Sequence, residues 1–196
     1  FLFGSKSAGF TIQPFSRTDN GGKTQTVTAR SGRAPVTEQA TRIILKAEHL
    51  GTNAQEPSEG PIANLIDGNT ATFFHTAWSV AIPGPHWLQI RLPEALTEGH
   101  WKFWYAPRNN GRQKPTDFDI LVSTGGSDWT LVKKFTKDED GLPVTATDAY
   151  TSPNLPVTQP FDHIRMVVNA VNSGEVFFTM SEFRLWQVKV VDPEAE

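Results

Sequence analysis

Gly60-Pro61-Ile62-Ala63-Asn64-Leu65-Ile66-Asp67-Gly68-Asn69-Thr70-Ala71-Thr72-Phe73-Phe74-His75-Thr76-Ala77-Trp78 joins an oxygen-rich, sharply turning loop to an aromatic run that carries a histidine. Asp67 offers a carboxylate, Asn69 an amide and a backbone carbonyl, and Thr72 a hydroxyl. Gly68 lets the chain turn between them. Hard cations such as calcium take several oxygen ligands, many of them carbonyls bared by an irregular loop. Asp, Gly and Asn are also the ordinary residues of a plain turn. On spacing alone both readings stand. A short helical turn is expected over Ile62 to Ile66, delivering Asp67 to the loop.

Outward from this stretch the chain reads as strands. In His86-Trp87-Leu88-Gln89-Ile90-Arg91-Leu92, Leu88, Ile90 and Leu92 fall on one face and Gln89 and Arg91 on the other. Phe118, Ile120 and Val122 share a face within Asp117 to Thr124, as do Ile164, Met166 and Val168 within His163 to Val168. Arg42 to Lys46, Trp101 to Tyr105, Trp129 to Phe135 and Phe177 to Trp186 complete the series. Six Trp and 13 Phe, with 15 Gly and 14 Pro as punctuation, favour many short strands joined by turns. The expected class is all-β, a β-sandwich.

Residues 1–35 read differently. Phe1-Leu2-Phe3 and Phe10-Thr11-Ile12 suggest a hairpin, Thr24 to Ala29 a strand, and Ser31 to Pro35 a linker. The expected organisation is an N-terminal extension, or the end of a preceding β domain, over 1–35, and a sandwich domain over 36–196. The chain opens on Phe1 with no visible signal peptide, which suggests an excised piece or a processed product.

A net charge of −3 argues against a nucleic-acid or anionic-membrane binder. No apolar run approaches a membrane span. Cysteine is absent, which removes disulfides, thiol nucleophiles and thiolate metal sites. No phosphate-cradling loop, Gly-x-Ser-x-Gly or His-Glu-x-x-His occurs. Asp117 and Asp119 fall on one strand face and could mimic a glycosidase pair. Such spacing equally describes a solvated polar face, so a catalytic domain ranks last.

Taken in order, Ile66-Asp67-Gly68-Asn69 with Thr72, Phe74-His75-Thr76, Trp87 to Leu92, Tyr105-Ala106-Pro107-Arg108-Asn109-Asn110-Gly111, Asp119 to Ser123 with Gly126 and Trp129, and Met180-Ser181-Glu182-Phe183 resemble the discoidin domain, or coagulation factor V/VIII type C domain. The likeness is nearest to family 32 carbohydrate-binding modules and covers about residues 40–187. Phe74 stands where that family usually has tryptophan, and Asp138 to Pro160 is longer than a simple strand connection.

The resemblance implies a jelly-roll sandwich of the galactose-binding-domain type. It implies a structural calcium held by Asp67, Thr72 and Glu182, with carbonyls of Asn64 and Asn69 nearby. It also implies a non-catalytic site for glycans of the galactose or N-acetylgalactosamine type. His75, Arg108 and Asn110 have the character to reach sugar hydroxyls, and Phe177 or Phe178 could be the stacking platform. One of that pair must face inward if the segment is a strand. By the same resemblance the chain would be part of a larger bacterial protein, extracellular, periplasmic or on the cell surface. The competing function is a discoidin-like protein-interaction or spacer domain. Lipid binding ranks low because the loop tip at Asn109-Asn110-Gly111 is polar.

Overall fold

Side chains that alternate inward and outward along a strand need a second apolar face to cover them, and here two antiparallel sheets cover each other. The computed structural model describes residues 15–18, 24–27, 37–145 and 148–191. The chain divides into two compact units, Phe1–Gln39 with Lys189–Glu196, and Ala40–Val188. In the first, β1 (Phe15–Thr18) pairs antiparallel with β2 (Thr24–Val27). The expected hairpin at Phe1 to Ile12 and the linker at Ser31 to Pro35 lie outside the described residues.

The sandwich is built from β3 (Thr37–Ile43), β4 (Leu50–Thr52), β5 (Phe74–His75), β6 (His86–Leu96), β7 (His100–Ala106), β8 (Pro115–Ser123) and β9 (Thr130–Thr136). It continues with β10 (Tyr150–Thr151), β11 (Leu155–Pro156), β12 (Phe161–Val171), β13 (Thr179–Met180) and β14 (Glu182–Val191). One sheet runs β10-β7-β14-β3, with β11 also on β7, and the other runs β4-β6-β12-β8-β9. β5 and β13 form a separate two-stranded ladder. Among the described residues no helix is long and apolar enough to cross a membrane.

The alternating runs bury the faces expected of them: Leu88, Ile90 and Leu92, then Phe118, Ile120 and Val122, then Ile164, Met166 and Val168. Two expectations shift. The first sandwich strand is Thr37–Ile43 rather than Arg42 to Lys46, and Ile44 is left exposed. The final strand region is split, because Phe177 and Phe178 precede the short β13 and Ser181 separates it from β14. The Asp138 to Pro160 segment supplies the end of a one-turn helix, α1 (Lys137–Asp140), and then β10 and β11, which extend the sheet beside β7. Gly141 ends that helix at φ 67°, a backbone state that favours glycine.

Aromatic rings fill the centre. Phe103, fully buried, lies 5.4 Å from Phe135, 5.9 Å from Phe183 and 6.2 Å from Phe118, so one ring touches both sheets. On the outer face of the second sheet the Arg165 guanidinium sits 4.3 Å from the Trp87 ring centre and 3.9 Å from that of Trp129. Its Nε and Nη2 both donate to Gln89 Oε1, which ties β12 to β6. Emptying the Phe103 position would open a cavity that neither sheet can close. Phe103→Ala is expected to lower unfolding stability by about 3–5 kcal/mol, read from the urea midpoint at unchanged slope.

Candidate ligand site and metal loop

His75 lies on β5, opposite Thr179 of β13. Its neighbours Phe74 and Phe178 turn into the core and meet edge-to-face at 5.7 Å. His75 faces the other way, with ring centres of Phe177 at 5.8 Å and of Phe73 and Trp78 at 6.4 Å. The imidazole is only 2% exposed, whereas Trp78 is 51% exposed and Phe177 half-buried. Nδ1 sits 2.6 Å from the Thr76 carbonyl and must carry the proton to donate to it. Nε2 is then a bare acceptor, with no protein partner among the described residues. Burial is the largest influence on the ring and pushes its pKa down, outweighing the Thr76 contact, so the neutral form is held at pH 7.

Arg108 adds donors. Its guanidinium lies 3.4 Å over the Phe73 ring centre, and its charge further depresses the pKa of His75. Among the described residues the guanidinium makes no hydrogen bond or ion pair, so its N–H groups are free. The loop that carries it is held from beneath by Lys114, which is fully buried and donates through Nζ to the Arg108 carbonyl at 2.5 Å. Burial pushes the Lys114 pKa down. The Lys114 N–H donates to Asn172 Oδ1, and the Thr179 N–H donates to the Gln113 carbonyl. The Arg108 loop is thereby strapped to the segment that presents Phe177.

The opposite wall is organised by Gln55 and Glu56. The Glu56 carboxylate accepts from the N–H and hydroxyl of Ser58, the N–H and hydroxyl of Ser79, and the N–H of Trp78. Burial opposes its charge, but these hydrogen bonds outweigh that and hold the carboxyl far below the usual range. Trp78 is fixed at its other end, where Nε1 donates to Glu59 Oε1 at 3.0 Å. Gly60, at φ 59°, passes so close to His75 that a Cβ there would meet its backbone nitrogen at 2.7 Å.

The residues expected in the ligand site part company here. His75, Arg108 and Phe177 come together. Phe178 does not: it is 0% exposed, packed on Phe74, and cannot be a platform. Asn110 is committed within its own turn, accepting from the Arg112 N–H and donating to Gln113 Oε1. Phe73 and Trp78 join this cluster and were not singled out from the sequence, although both flank the histidine. Asp117 is engaged by Lys134 at 3.0 Å and by Asn169, the pattern of a structural surface carboxylate.

The oxygen-rich loop closes on itself. Asp67 accepts from the Asn69 N–H at 2.8 Å and from the Thr72 hydroxyl at 2.6 Å, and that hydroxyl lies 2.7 Å from the Asn69 carbonyl. Glu182, fully buried on β14, reaches across to accept from the Gly68 N–H at 2.5 Å, and its other oxygen accepts from Arg184. Asn64 braces the loop, its amide donating to the Phe73 carbonyl. Among the described residues no three His, Cys, Asp or Glu side chains gather as a metal site. The donor set here is two carboxylates with hydroxyl and carbonyl oxygens, which suits a hard cation such as calcium and not zinc.

The fold and this arrangement define a β-sandwich domain with an aromatic, histidine-bearing site at its loop end. The F5/8 type C domain matches residues 50–183, and the chain belongs to that family. It is 27% identical over 176 residues to a sialidase of Micromonospora viridifaciens, covering 86% of this chain and 24% of the relative. Over 89 residues it is 30% identical to an A type blood N-acetyl-α-D-galactosamine deacetylase of Flavonifractor plautii, covering 39% of this chain and 11% of that protein. The chain therefore spans a quarter or less of these relatives. Among solved structures it superposes on CpGH89CBM32-5 from Clostridium perfringens in complex with GalNAc-β-1,3-galactose, at TM-score 0.60, 17% identity, and coverage of 74% of this chain and 99% of the other. It also superposes on the family 32 module of C. perfringens NanJ in complex with galactose, at TM-score 0.56, 22% identity, and coverage of 76% and 100%. The fold is the jelly-roll sandwich of these modules.

The Glu56 hydrogen bonds carry a pH signature. A carboxyl held low in the folded state stabilises the fold above its unfolded pKa of about 4.3, and the contribution fades as acid takes the pH below that value. Glu56→Gln is expected to be less stable than wild type at pH 7 and to show a shallower loss between about pH 5 and pH 3. Parallel acid limbs in urea titrations of the two proteins would show that Glu56 contributes nothing.

Proposed function

We propose that this domain is a non-catalytic carbohydrate-binding module that takes a galactose-type sugar at its loop end. The observation that carries this is the pairing of a bare His75 Nε2 acceptor with the free Arg108 guanidinium among Phe73, Trp78 and Phe177. A sugar hydroxyl gives one hydrogen bond and accepts others, so a neutral imidazole beside a cationic fork suits it. The exposed Trp78 and half-buried Phe177 offer apolar faces to the C–H side of a pyranose. The solved complexes with galactose and GalNAc-β-1,3-galactose support the galactose or N-acetylgalactosamine class. Nothing in the arrangement supplies a nucleophile with its base, and Asp117 is tied to Lys134. The reading places the domain in a larger bacterial protein that acts outside the cytoplasm, in keeping with the sialidase and deacetylase relatives.

The same reading includes a structural calcium at Asp67, Thr72 and Glu182, with carbonyls of Asn69 and Asn64. Its chemistry would be charge neutralisation of two carboxylates, one of them fully buried. Glu182 then clamps the loop to β14 across 114 residues of chain.

Two measurements test these assignments. On a glycan array, the 196-residue chain is expected to bind terminal galactose or N-acetylgalactosamine, and a His75→Ala/Arg108→Ala double variant to lose at least about tenfold in affinity while keeping its unfolding midpoint. Absence of any glycan signal would move the function to protein interaction or spacing. Separately, calcium is expected to raise the melting temperature and EDTA to reverse it, with both effects absent in Glu182→Gln. An unchanged melting temperature in wild type would refute the ion.

A further inference from the structure

A groove of about 620 Å³ opens beside the His75 site, between the 70–73 loop and the Arg108 turn. Its size lies within the roughly 300–1,000 Å³ range of small-ligand sites. Phe73 and Arg108 line it and also belong to the His75 cluster, while His75, Trp78 and Phe177 do not reach into it. The floor comes from β7 and the β13–β14 junction, through Trp104, Ala106 and Ser181.

Among the described residues, three polar groups at this groove have no hydrogen-bond partner. The Ser181 hydroxyl is buried, 1% exposed, with no hydrogen-bond partner. Buried hydroxyls are normally paired, and this one lies beside the groove, where a ligand hydroxyl could pair with it. The Trp104 indole N–H and the Arg108 guanidinium likewise have no hydrogen-bond partner among the described residues. Trp104 is half-buried and is fixed in place by Arg184, whose guanidinium lies 4.4 Å over its ring. Arg184 is itself held by Glu182. The groove thus combines a fixed aromatic ring, small apolar neighbours and a few convergent hydrogen-bonding groups. That is the chemistry of a pyranose site, and it differs from an apolar docking face.

We propose that this groove is a second sugar subsite, and that the ligand is an oligosaccharide whose next residue crosses the Phe73–Arg108 ridge to lie against Trp104 and Ser181. The inference rests on the carbohydrate-binding reading of the His75 site. Arg108, with one face of its guanidinium on Phe73, would serve both sugars through different in-plane N–H groups. The subsite selects by linkage, because only some glycosidic bonds direct the second ring over that ridge.

Calorimetric titration of the full chain with galactose, N-acetylgalactosamine and a panel of trisaccharides ending in either tests it. At least one trisaccharide is expected to bind about tenfold or more tightly than its terminal monosaccharide. Trp104→Ala is expected to abolish that gain and leave the monosaccharide affinity unchanged. Ser181→Ala removes an unpaired hydroxyl, so it leaves folding intact and is expected to weaken the trisaccharide alone by a few-fold. Equal affinity for every trisaccharide and its terminal sugar, or a gain that survives both substitutions, overturns the subsite while the His75 site stands. Failure of wild type to bind any of these sugars overturns both, with the fault in the carbohydrate reading.

Discussion

The short ladder between β5 and β13 is the constraint from which the loop end follows. Two residues on each strand are paired, Phe74 with Met180 and His75 with Thr179. Period-two alternation then leaves no freedom: if Phe74 points to the core, His75 cannot. Phe74 and Phe178 are both fully buried, and each such ring stabilises the fold by about 1.5–3 kcal/mol through burial. Thr76 locks the register, since its hydroxyl and N–H both donate to the Phe178 carbonyl and its hydroxyl accepts from the Phe178 N–H. The core therefore decides where the site histidine stands. His75 and Phe177 meet on the outer side because Phe74 and Phe178 have taken the inner one.

Around that ladder, buried charge holds the loops. Glu56 gathers five hydrogen bonds from Ser58, Trp78 and Ser79, Lys114 holds the Arg108 carbonyl, and Glu182 holds the Gly68 N–H. Each is nearly or wholly out of solvent, and each bonds to backbone groups that no strand ladder satisfies. A loop has too few apolar contacts to be fixed by packing alone. A charged group bonded to the backbone of a loop fixes it better than a neutral one would, because charge-assisted hydrogen bonds are roughly twice as strong. The sandwich proper follows the opposite rule, with rings such as Phe103, Phe118 and Phe135 and few polar atoms.

This division explains what could be read from the residues beforehand. The central strands announced themselves, since β6, β8 and β12 each carry a run of three apolar residues at alternate places and bury them. β3 did not, because an edge strand with an exposed surface has no such pattern, and the apolar run that stood out, around Ile44, lies just past it. β10 and β11 are two residues each, too short for any periodicity to show. One of Phe177 and Phe178 does turn inward, but both precede β13 and so lie outside the strand alternation on which that expectation depended; the contacts of Phe178 with Phe74 and Thr76 say which. Asn110 had the right chemistry, but a turn amide is readily taken by its own backbone, here by Arg112. Glu56 and Lys114 were invisible, as charged residues are ordinarily exposed and nothing local marks these as exceptions.

The site's rigidity bears on what it can recognise. Immobilising a free side chain on binding costs about 0.5–1.5 kcal/mol, and a shallow sugar site has few contacts with which to offset several such costs. Here the ordering is already done by folding. Trp78 is held at its N–H by Glu56 and at its indole by Glu59, His75 is fixed by Thr76, and Arg108 rests on Phe73. A ligand arriving at these groups meets them in place, so a modest number of hydrogen bonds and one stacked ring can suffice. On the proposed reading the same rigidity would make the site intolerant: a hydroxyl of the wrong configuration would leave the His75 Nε2 acceptor or an Arg108 donor unpaired, and a desolvated polar group without a partner costs about 1–3 kcal/mol. On that reading, selectivity among sugars of equal size and polarity would follow from that penalty, because stacking on Trp78 or Phe177 would scarcely distinguish one pyranose from another.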